Sequence, residues 1–231
     1  MQVLEKLASL QNPERAKLMA RYFKTGKGQY AEGDTFWGLS NPQVRGVVKE
    51  YYKQVSIEEV TAMVEHSIHE VRACGLLMWV EQFKKGSTIQ RSRIVELYLS
   101  HLNYINNWDL VDLTAHFILG PWLLDKDRDI LYELAQRNHL WSQRVAIITC
   151  FAFIRKGQFT DAIHLCEGFL THRHDLIHKA TGWMLREIGK RDELVLKEFL
   201  DEHVLAMPRT MLRYAIEKLP PAERKAYLLA K

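Results

Sequence analysis

The stretch Asn107-Trp108-Asp109-Leu110-Val111-Asp112 belongs to one of four helical segments that recur along the chain at a nearly constant interval. When the four segments are aligned, equivalent positions lie 36, 36 and 35 residues apart and are occupied by Arg72, Trp108, Arg144 and Lys179. Between them lie three further segments with helical spacing of apolar residues, over residues 91–102, 127–136 and 161–170. One helix pair per period is typical of HEAT-like or TPR-like repeats, and the TPR signature is absent. The pattern predicts an all-α, HEAT-like helical-repeat solenoid, that is, an α-α superhelix.

Signals for helix starts and ends occur along the whole chain, and no segment has the pattern of a strand. Asparagine followed by proline predicts two helix starts, and a serine with a glutamate three residues later predicts a capping box. Glycine after an apolar segment predicts a helix end. The predicted starts are Asn12-Pro13, Asn41-Pro42 and Ser56 with Glu59, and the predicted ends are Lys85-Gly86, Leu119-Gly120-Pro121 and Lys156-Gly157. We therefore expect residues 1–231 to form a single HEAT-like repeat domain.

Composition agrees with a cytoplasmic globular protein. The 231 residues are 47% hydrophobic, which is enough to bury a large core. Three scattered cysteines do not form a disulfide framework, so a reducing compartment of bacterial-type cytosol or nucleoid is expected. The first residues lack a basic segment followed by an apolar stretch and no later apolar run reaches membrane-spanning length, so we expect a protein that is neither exported nor embedded in a membrane. The net charge of +4 permits anionic partners without requiring them.

Three of the four aligned repeat positions are cationic. If the second helix of each pair lines the concave face of the solenoid, these positions form a basic track for a phosphate backbone, with tryptophans among the charges. The alternative is an ordinary solvated helix face. The predicted track comprises Arg72, Arg144, Lys179, Arg186, Lys156 and Lys190, with Trp108 and Trp183.

A candidate site lies at Trp108 and Asp112, which a helix would place one turn apart on the same face. The predicted buried stripe contains Leu110, Leu113, Phe117 and Ile118, whereas Trp108, Asp112 and Ala115 face elsewhere. The alternative for Asp112 is an ion pair with an arginine that holds repeats together. Asp109, close to the helix start, is predicted to cap amides. Trp141 is predicted to pack at the start of its helix.

Three separated motifs in this sequence resemble the AlkD-type DNA alkylation repair glycosylases, which are built from HEAT-like repeats. The resemblance extends over nearly the whole chain, because Asn12-Pro13 and Met19-Ala20-Arg21-Tyr22 are similar to the family's amino-terminal helices. The motifs are Asn106-Asn107-Trp108-Asp109-Leu110-Val111-Asp112, Trp141-Ser142-Gln143-Arg144-Val145-Ala146-Ile147 and Ile177-His178-Lys179-Ala180-Thr181-Gly182-Trp183-Met184-Leu185-Arg186-Glu187.

The resemblance implies hydrolysis of the N-glycosidic bond of N3- or N7-alkylated purines in double-stranded DNA. By residue matching, it implies that Asp112 is the catalytic carboxylate and that Trp108 and Trp183 are aromatic walls beside the deoxyribose. Arg144 and Arg186 correspond to residues near the DNA backbone. We expect a monomer that needs neither a metal nor another cofactor and has no membrane partner. The family is thought to leave the damaged base stacked rather than rotate it into a pocket.

The sequence departs from the family pattern in two places. Asn107 stands where the best-known members carry a second tryptophan, and the segment 26–34 is longer than the corresponding loop. Because of both departures, neither the set of alkylated bases that the protein accepts nor its mode of DNA binding follows from the resemblance.

Two other classes of function are compatible with a helical repeat. The first is a non-catalytic HEAT-like DNA-binding scaffold, and the second is a protein-interaction solenoid.

A zinc site is a further alternative, because His172, His174 and His178 lie near Cys166 in the sequence, yet the usual ligand spacings are absent. We interpret these histidines as surface and cap residues.

Overall fold

The computed structural model describes residues 2–230, and the secondary structure of this part of the chain is almost entirely helical. The β structure found there is a single isolated bridge between Thr35 and Ile68. Two short 3₁₀ helices, Leu102–Tyr104 and Ile216–Lys218, accompany the α-helices. The α-helices are α1 Gln2–Ala8, α2 Pro13–Tyr22, α3 Asn41–Tyr51, α4 Ile57–Val64, α5 His69–Lys85, α6 Thr88–Ser100, α7 Trp108–Asp112, α8 Ala115–Leu123, α9 Asp129–Gln136, α10 Leu140–Thr149, α11 Phe151–Ile154, α12 Thr160–Gly168, α13 Asp175–Gly189, α14 Glu193–His203, α15 Arg209–Ala215 and α16 Pro221–Leu229. The prediction of an all-α fold is confirmed.

The contacts divide the chain into an N-terminal unit that ends at Thr114 and a C-terminal unit that begins at Ala115. The centre of the N-terminal unit is α5, which packs against α3, α4 and α6 and is buried over most of its length. Trp79 on this helix is fully buried. In the C-terminal unit α13 has the central place and contacts α10, α12, α14 and α15.

The predicted helix pairs correspond to observed ones. Segments 91–102, 127–136 and 161–170 are the helices α6, α9 and α12, and these pack against α5, α10 and α13. The four aligned segments are less regular than the sequence suggests, because their helices start at His69, Trp108, Leu140 and Asp175. Arg72, Arg144 and Lys179 are the fourth or fifth residues of their helices, whereas Trp108 is the first residue of α7. The register therefore does not make Trp108 structurally equivalent to the three cations.

Most predicted helix starts are confirmed. The Asn12 side chain accepts from the Arg15 amide ahead of α2, and Ser56 and Glu59 form a reciprocal capping box at α4. The prediction for Asn41 is wrong by one residue. Ser40 caps α3 with Gln43, because this pair completes the capping box that Asn41 does not.

The predicted stop at Leu119-Gly120-Pro121 is wrong, since α8 continues through Pro121 to Leu123. Gly120 has a different function here: a Cβ atom on it would lie 2.3 Å from the Cβ of Ala152, so glycine allows α8 to approach α11 closely. The other two glycines follow helix ends as predicted. Gly86 is the cap of α5, and Gly157, with φ of +73°, follows the end of α11.

Within residues 2–230, no helix combines the length and the apolar character that crossing a bilayer requires.

Candidate active site

Helix α7 carries the predicted pair. Trp108 is its first residue and Asp112 its last, so both lie on one face one turn apart, as predicted, and both are partly exposed. The opposite face is anchored by Leu110 and Val111, which are fully buried. Asn107 caps the helix by accepting from the Trp108 amide at 2.9 Å. Asn107, where the sequence is expected to depart from the pattern it resembles, therefore starts this helix.

Helix α7 ends at Asp112 and α8 begins at Ala115, and this corrects the predicted buried stripe, of which Leu110 and Ile118 are buried but Leu113 and Phe117 only half-buried. Thr114 donates its hydroxyl hydrogen to the Leu110 carbonyl, and the Tyr98 hydroxyl lies 2.9 Å from the Thr114 hydroxyl. Leu113 and Thr114 lie between α7 and α8, so the helical register begins anew at Ala115. As a result Ala115 is fully buried, although a continuous helix would have turned it away from the core.

A cavity of about 510 Å³ opens beside α7, within the N-terminal unit. Its volume falls in the range of small-molecule sites, which is roughly 300–1,000 Å³. Trp108 and Asp112 both line it. The other lining side chains come from α2, α3, α5, α7 and their adjoining loops, and include the aromatic residues Tyr22 and Phe23, the acids Glu70 and Asp109, and Arg15 and His69.

Aromatic rings hold the Trp108 indole in place. Phe23 stacks against Trp108 with ring centroids 5.5 Å apart and 25° between the planes, and Tyr22 meets it edge-on at 6.1 Å. Phe23 in turn stacks on Phe36, with ring centroids 5.2 Å apart. Tyr22 is 65% exposed, so this wall of the cavity faces solvent. The position of the Trp108 indole is thus fixed by its packing against Phe23 and Tyr22.

A buried ionic network lies under this aromatic cluster. The His69 imidazole, whose side chain is 2% exposed, has Nε2 at 2.8 Å from Asp109 Oδ2 and Nδ1 at 3.3 Å from Asp34 Oδ2. Burial lowers the pKa of His69, but the charge and hydrogen bond of Asp109, followed by those of Asp34, outweigh it and raise the pKa to about 9. His69 is therefore an imidazolium at neutral pH. Arg72 pairs with Asp34 as the second cation of the network.

Glu70 forms a separate anchor. Its carboxylate accepts from the backbone amides of Trp37, Gly38 and Leu39 at 2.7–3.0 Å, so it fixes the end of the long loop that precedes α3. The sequence analysis missed Glu70, His69 and Asp34. The partners of these groups lie more than 30 residues away, and no local spacing marks them.

Arg72, which the sequence analysis places on the basic track, is buried rather than on an exposed face. Arg72 is 4% exposed, and its guanidinium donates to Asp34, to Asn106 and to the carbonyls of His66 and Ser67. The Arg72 guanidinium therefore joins segments of the protein interior and does not contribute to an exposed basic face. Asp109 behaves as predicted, because its Oδ1 caps the Leu110 amide at 2.9 Å.

The C-terminal unit contains the second predicted tryptophan. Trp183 on α13 is half-buried and packs on Phe151 with ring centroids 5.5 Å apart. Glu187 lies one turn further along α13. Burial raises the Glu187 pKa, but hydrogen bonds from Lys190 and Arg191, with a smaller contribution from Trp183, outweigh it and lower this pKa. Trp141, at 5% exposure, packs at the start of α10 as predicted.

The predicted basic residues of this unit differ in exposure. Arg144 is 4% exposed, and its guanidinium donates to the Leu176 carbonyl at the start of α13. Arg186 forms an ion pair with Glu217, and Lys179 pairs with Asp175 at 2.8 Å. Lys156 is exposed. The most accessible cations of this predicted set are therefore the lysines.

The histidines that follow Cys166 in the sequence form hydrogen bonds with backbone groups. His174 caps α13 by accepting from the Leu176 amide at 3.1 Å, which confirms its predicted role, and His178 contacts the His172 carbonyl. No group of three metal-ligating side chains was found in the described part of the chain. Burial raises the pKa of the Cys74 thiol to about 12, and it also raises those of Cys150 and Cys166. None of these thiols has the low pKa of a nucleophile.

Comparisons with known proteins identify the fold of this chain and the family to which it belongs. A solved structure described as a predicted DNA alkylation repair enzyme from Enterococcus faecalis aligns over 91% of this chain and 97% of that chain, with a TM-score of 0.72 and 20% sequence identity. The fold is thus that of an all-helical repeat protein. A comparison with curated protein sequences gives no match. The family model described as DNA alkylation repair enzyme matches residues 3–219, and the chain belongs to this family.

Proposed function

We propose that the protein is a DNA glycosylase, a hydrolase that cleaves the N-glycosidic bond of N3- or N7-alkylated purines in double-stranded DNA. The observation that carries this proposal is the placement of Asp112 and Trp108 on one face of α7, beside a cavity with further aromatic rings. A carboxylate that lines such a cavity can stabilise positive charge that develops on a bound sugar.

The chemistry of the substrate explains such a pair. An N3- or N7-alkylated purine already carries a positive charge, so it can leave as a neutral base without a strong general acid. The sugar then becomes an oxocarbenium-like cation. In the proposed mechanism Asp112 stabilises this cation and orients the attacking water, as the carboxylates of glycoside hydrolases do.

The indole faces have a supporting role in the proposal. The electron-rich face of an indole attracts a cation by about 0.5–2 kcal/mol. We assign this role to Trp108, which packing against Phe23 keeps in one orientation. Trp183, fixed by Phe151 in the C-terminal unit, is proposed to contact the deoxyribose in the same way.

The accessible cations are proposed to bind the phosphate backbone. Lys156 is exposed, and Lys179 and Arg186 pair with Asp175 and Glu217, which a phosphate could replace. For the buried residues Arg72 and Arg144 we propose a structural role, because a phosphate contact would require the loss of interior hydrogen bonds.

The test is release of free base from duplex DNA that contains 7-methylguanine, with an undamaged duplex as control substrate. We expect release from the damaged duplex alone. Salt-sensitive DNA binding without base release for any alkylated purine would contradict the proposal and indicate a scaffold. Absence of DNA binding at low salt, together with absence of release, would indicate a protein-interaction solenoid instead.

A further inference from the structure

Helix α7 is too short to hold its own orientation. It has five residues, and an isolated helix of this length is unstable in water. The direction in which Trp108 and Asp112 point must therefore be set by contacts with the rest of the N-terminal unit. The first turn of this helix is held by the buried Leu110 and Val111, by Phe23 and Tyr22 against Trp108, and by a polar contact of 2.8 Å between Asp109 and His69.

Both oxygens of Asp109 are used in this contact region. Oδ1 accepts from the Leu110 amide, and Oδ2 accepts from Nε2 of the His69 ring. Because the second ring nitrogen of His69 faces Asp34, both nitrogens must carry hydrogen to satisfy both carboxylates. His69 is thus a charged bridge between the loop that contains Asp34 and the first turn of α7.

The same loop reaches the segment before α7 by a second route. Arg72 donates to Asp34 and also, at 3.0 Å, to Asn106 Oδ1, and Asn106 Nδ2 lies 3.3 Å from Asp34 Oδ1. Phe23 and Phe36 flank the His69 ring at 5.1 and 4.7 Å, and Phe23 also stacks on Trp108. The two cations and two carboxylates balance in charge, which makes the buried network compatible with the low dielectric around it.

We infer that His69 is a positioning residue, which holds Asp109 and thereby sets the orientation of the α7 face that presents Trp108 and Asp112. The inference deepens the proposed glycosylase function and rests on it for the catalytic consequence. His69 lies on a different helix from Trp108 and Asp112, and its direct contact with α7 is the one to Asp109. Its other arm, to Asp34, couples the long loop before α3 to the same helix.

A pair of substitutions separates the two arms of the bridge. In His69→Gln the side-chain amide nitrogen occupies roughly the place of Nε2 and can still donate to Asp109. In His69→Asn the amide nitrogen occupies roughly the place of Nδ1 and can donate to Asp34 only. Both variants remove the charge and both are polar, but asparagine is smaller by one methylene, so the rate of each variant is compared with its thermal stability.

We expect His69→Asn to lower the single-turnover rate of base release at saturating enzyme by roughly tenfold to hundredfold, because a small misplacement of a reacting group has effects of that size. His69→Gln should retain most of the rate. DNA affinity should stay within roughly twofold in both variants, since neither substitution removes a phosphate contact. Equal rates for the two variants, or rates that follow thermal stability alone, would overturn the inference.

Hydrogen exchange supplies a readout that does not depend on activity. The amides of residues 111 and 113 donate to the carbonyls of Asn107 and Asp109, so their protection reports the integrity of α7. We expect faster exchange of these amides in His69→Asn than in His69→Gln. The control is His203→Gln, because His203 lies near Glu167 in the C-terminal unit and its loss should leave the exchange of α7 unchanged.

Two further outcomes also decide the question. If His69→Asn does not fold, Asp109→Asn replaces it, because asparagine keeps the acceptor for the Leu110 amide and loses the charge that faces His69. Wild-type exchange and a wild-type rate in Asp109→Asn would overturn the inference. If the wild-type protein releases no base, the proposed function fails, while the exchange of α7 in the two His69 variants still decides whether His69 positions this helix.

Discussion

Phe23 and Trp108 stack with their ring centroids 5.5 Å apart, so a residue just beyond the end of α2 supports the indole at the start of α7. The two residues are separated by 85 positions in the chain, from 23 to 108. This packing converts a partly exposed tryptophan into a fixed aromatic surface beside Asp112. The orientation of Trp108 therefore depends on Phe23.

Replacing Phe23 by leucine tests this dependence. The substitution removes the stacked ring and should lower the free energy of unfolding by about 1–2 kcal/mol. Because Trp108 loses its support, base release should fall more than DNA affinity. Phe83→Leu is the matched control, since Phe83 is buried in the same unit and contacts Arg91 instead of the cavity. Equal losses of activity in the two variants would contradict the role of Phe23.

The buried His69 is expected to make the protein less stable as the pH rises into the alkaline range. Its pKa is about 9 in the folded protein against 6.5 for an ordinary histidine, so its contribution is fully present below about pH 6.5 and is lost as the pH rises through 9. Asp34, Asp109 and Arg72 are the charged groups that face it. The free energy of unfolding of the wild type, measured by denaturant titration, should fall by up to about 3 kcal/mol relative to His69→Gln across this window. A constant difference between the two proteins from pH 6 to pH 10 would contradict the charged bridge.

Close helix packing in the C-terminal unit requires Gly182. A Cβ atom at this position would lie 2.4 Å from the Met211 carbonyl oxygen, where α13 meets α15. Gly182→Ala should therefore lower the free energy of unfolding by about 1–3 kcal/mol. Gly46→Ala on α3 is the control, because a Cβ atom there meets nothing within 4 Å and alanine should raise this free energy by about 0.5–1 kcal/mol. Thermal or denaturant unfolding of both variants provides the measurement.

Lys156 provides a test of the phosphate contacts. If it binds one phosphate, Lys156→Ala should reduce the slope of log affinity against log salt by about 1 while weakening binding to damaged and undamaged DNA alike. Lys225→Ala on α16 is the control, because it removes another exposed cation, one to which we assign no DNA contact. Identical salt slopes for the two variants would exclude a specific contact at Lys156.

The sequence predicts those parts of the fold that depend on local patterns. The helix pairs, the capping box at Ser56 and the one-turn spacing of Trp108 and Asp112 follow from periodicity and cap chemistry within a few residues. The predicted stop at Gly120 failed because that glycine serves a contact with Ala152, which lies on another helix. Local signals do not distinguish these two uses of glycine.

The candidate site is only half predictable for the same reason. Trp108 and Asp112 are neighbours on one short helix, whereas Phe23, Asp34 and His69 reach them through contacts between distant segments. Arg72 was assigned to an exposed face by its charge and its register. Its burial follows from Asp34, which lies in the long loop and supplies the missing counter-charge.

The most direct test of the central claim compares base release by the wild type and Asp112→Asn on duplex DNA that contains 7-methylguanine. The substitution removes the negative charge at the end of α7 and changes little in volume. Glu96→Gln is the control for loss of an acidic charge, since this glutamate is exposed on α6. We predict that the wild type and the control release the base, whereas Asp112→Asn binds the DNA and releases almost none. Full release by Asp112→Asn would contradict the proposed mechanism.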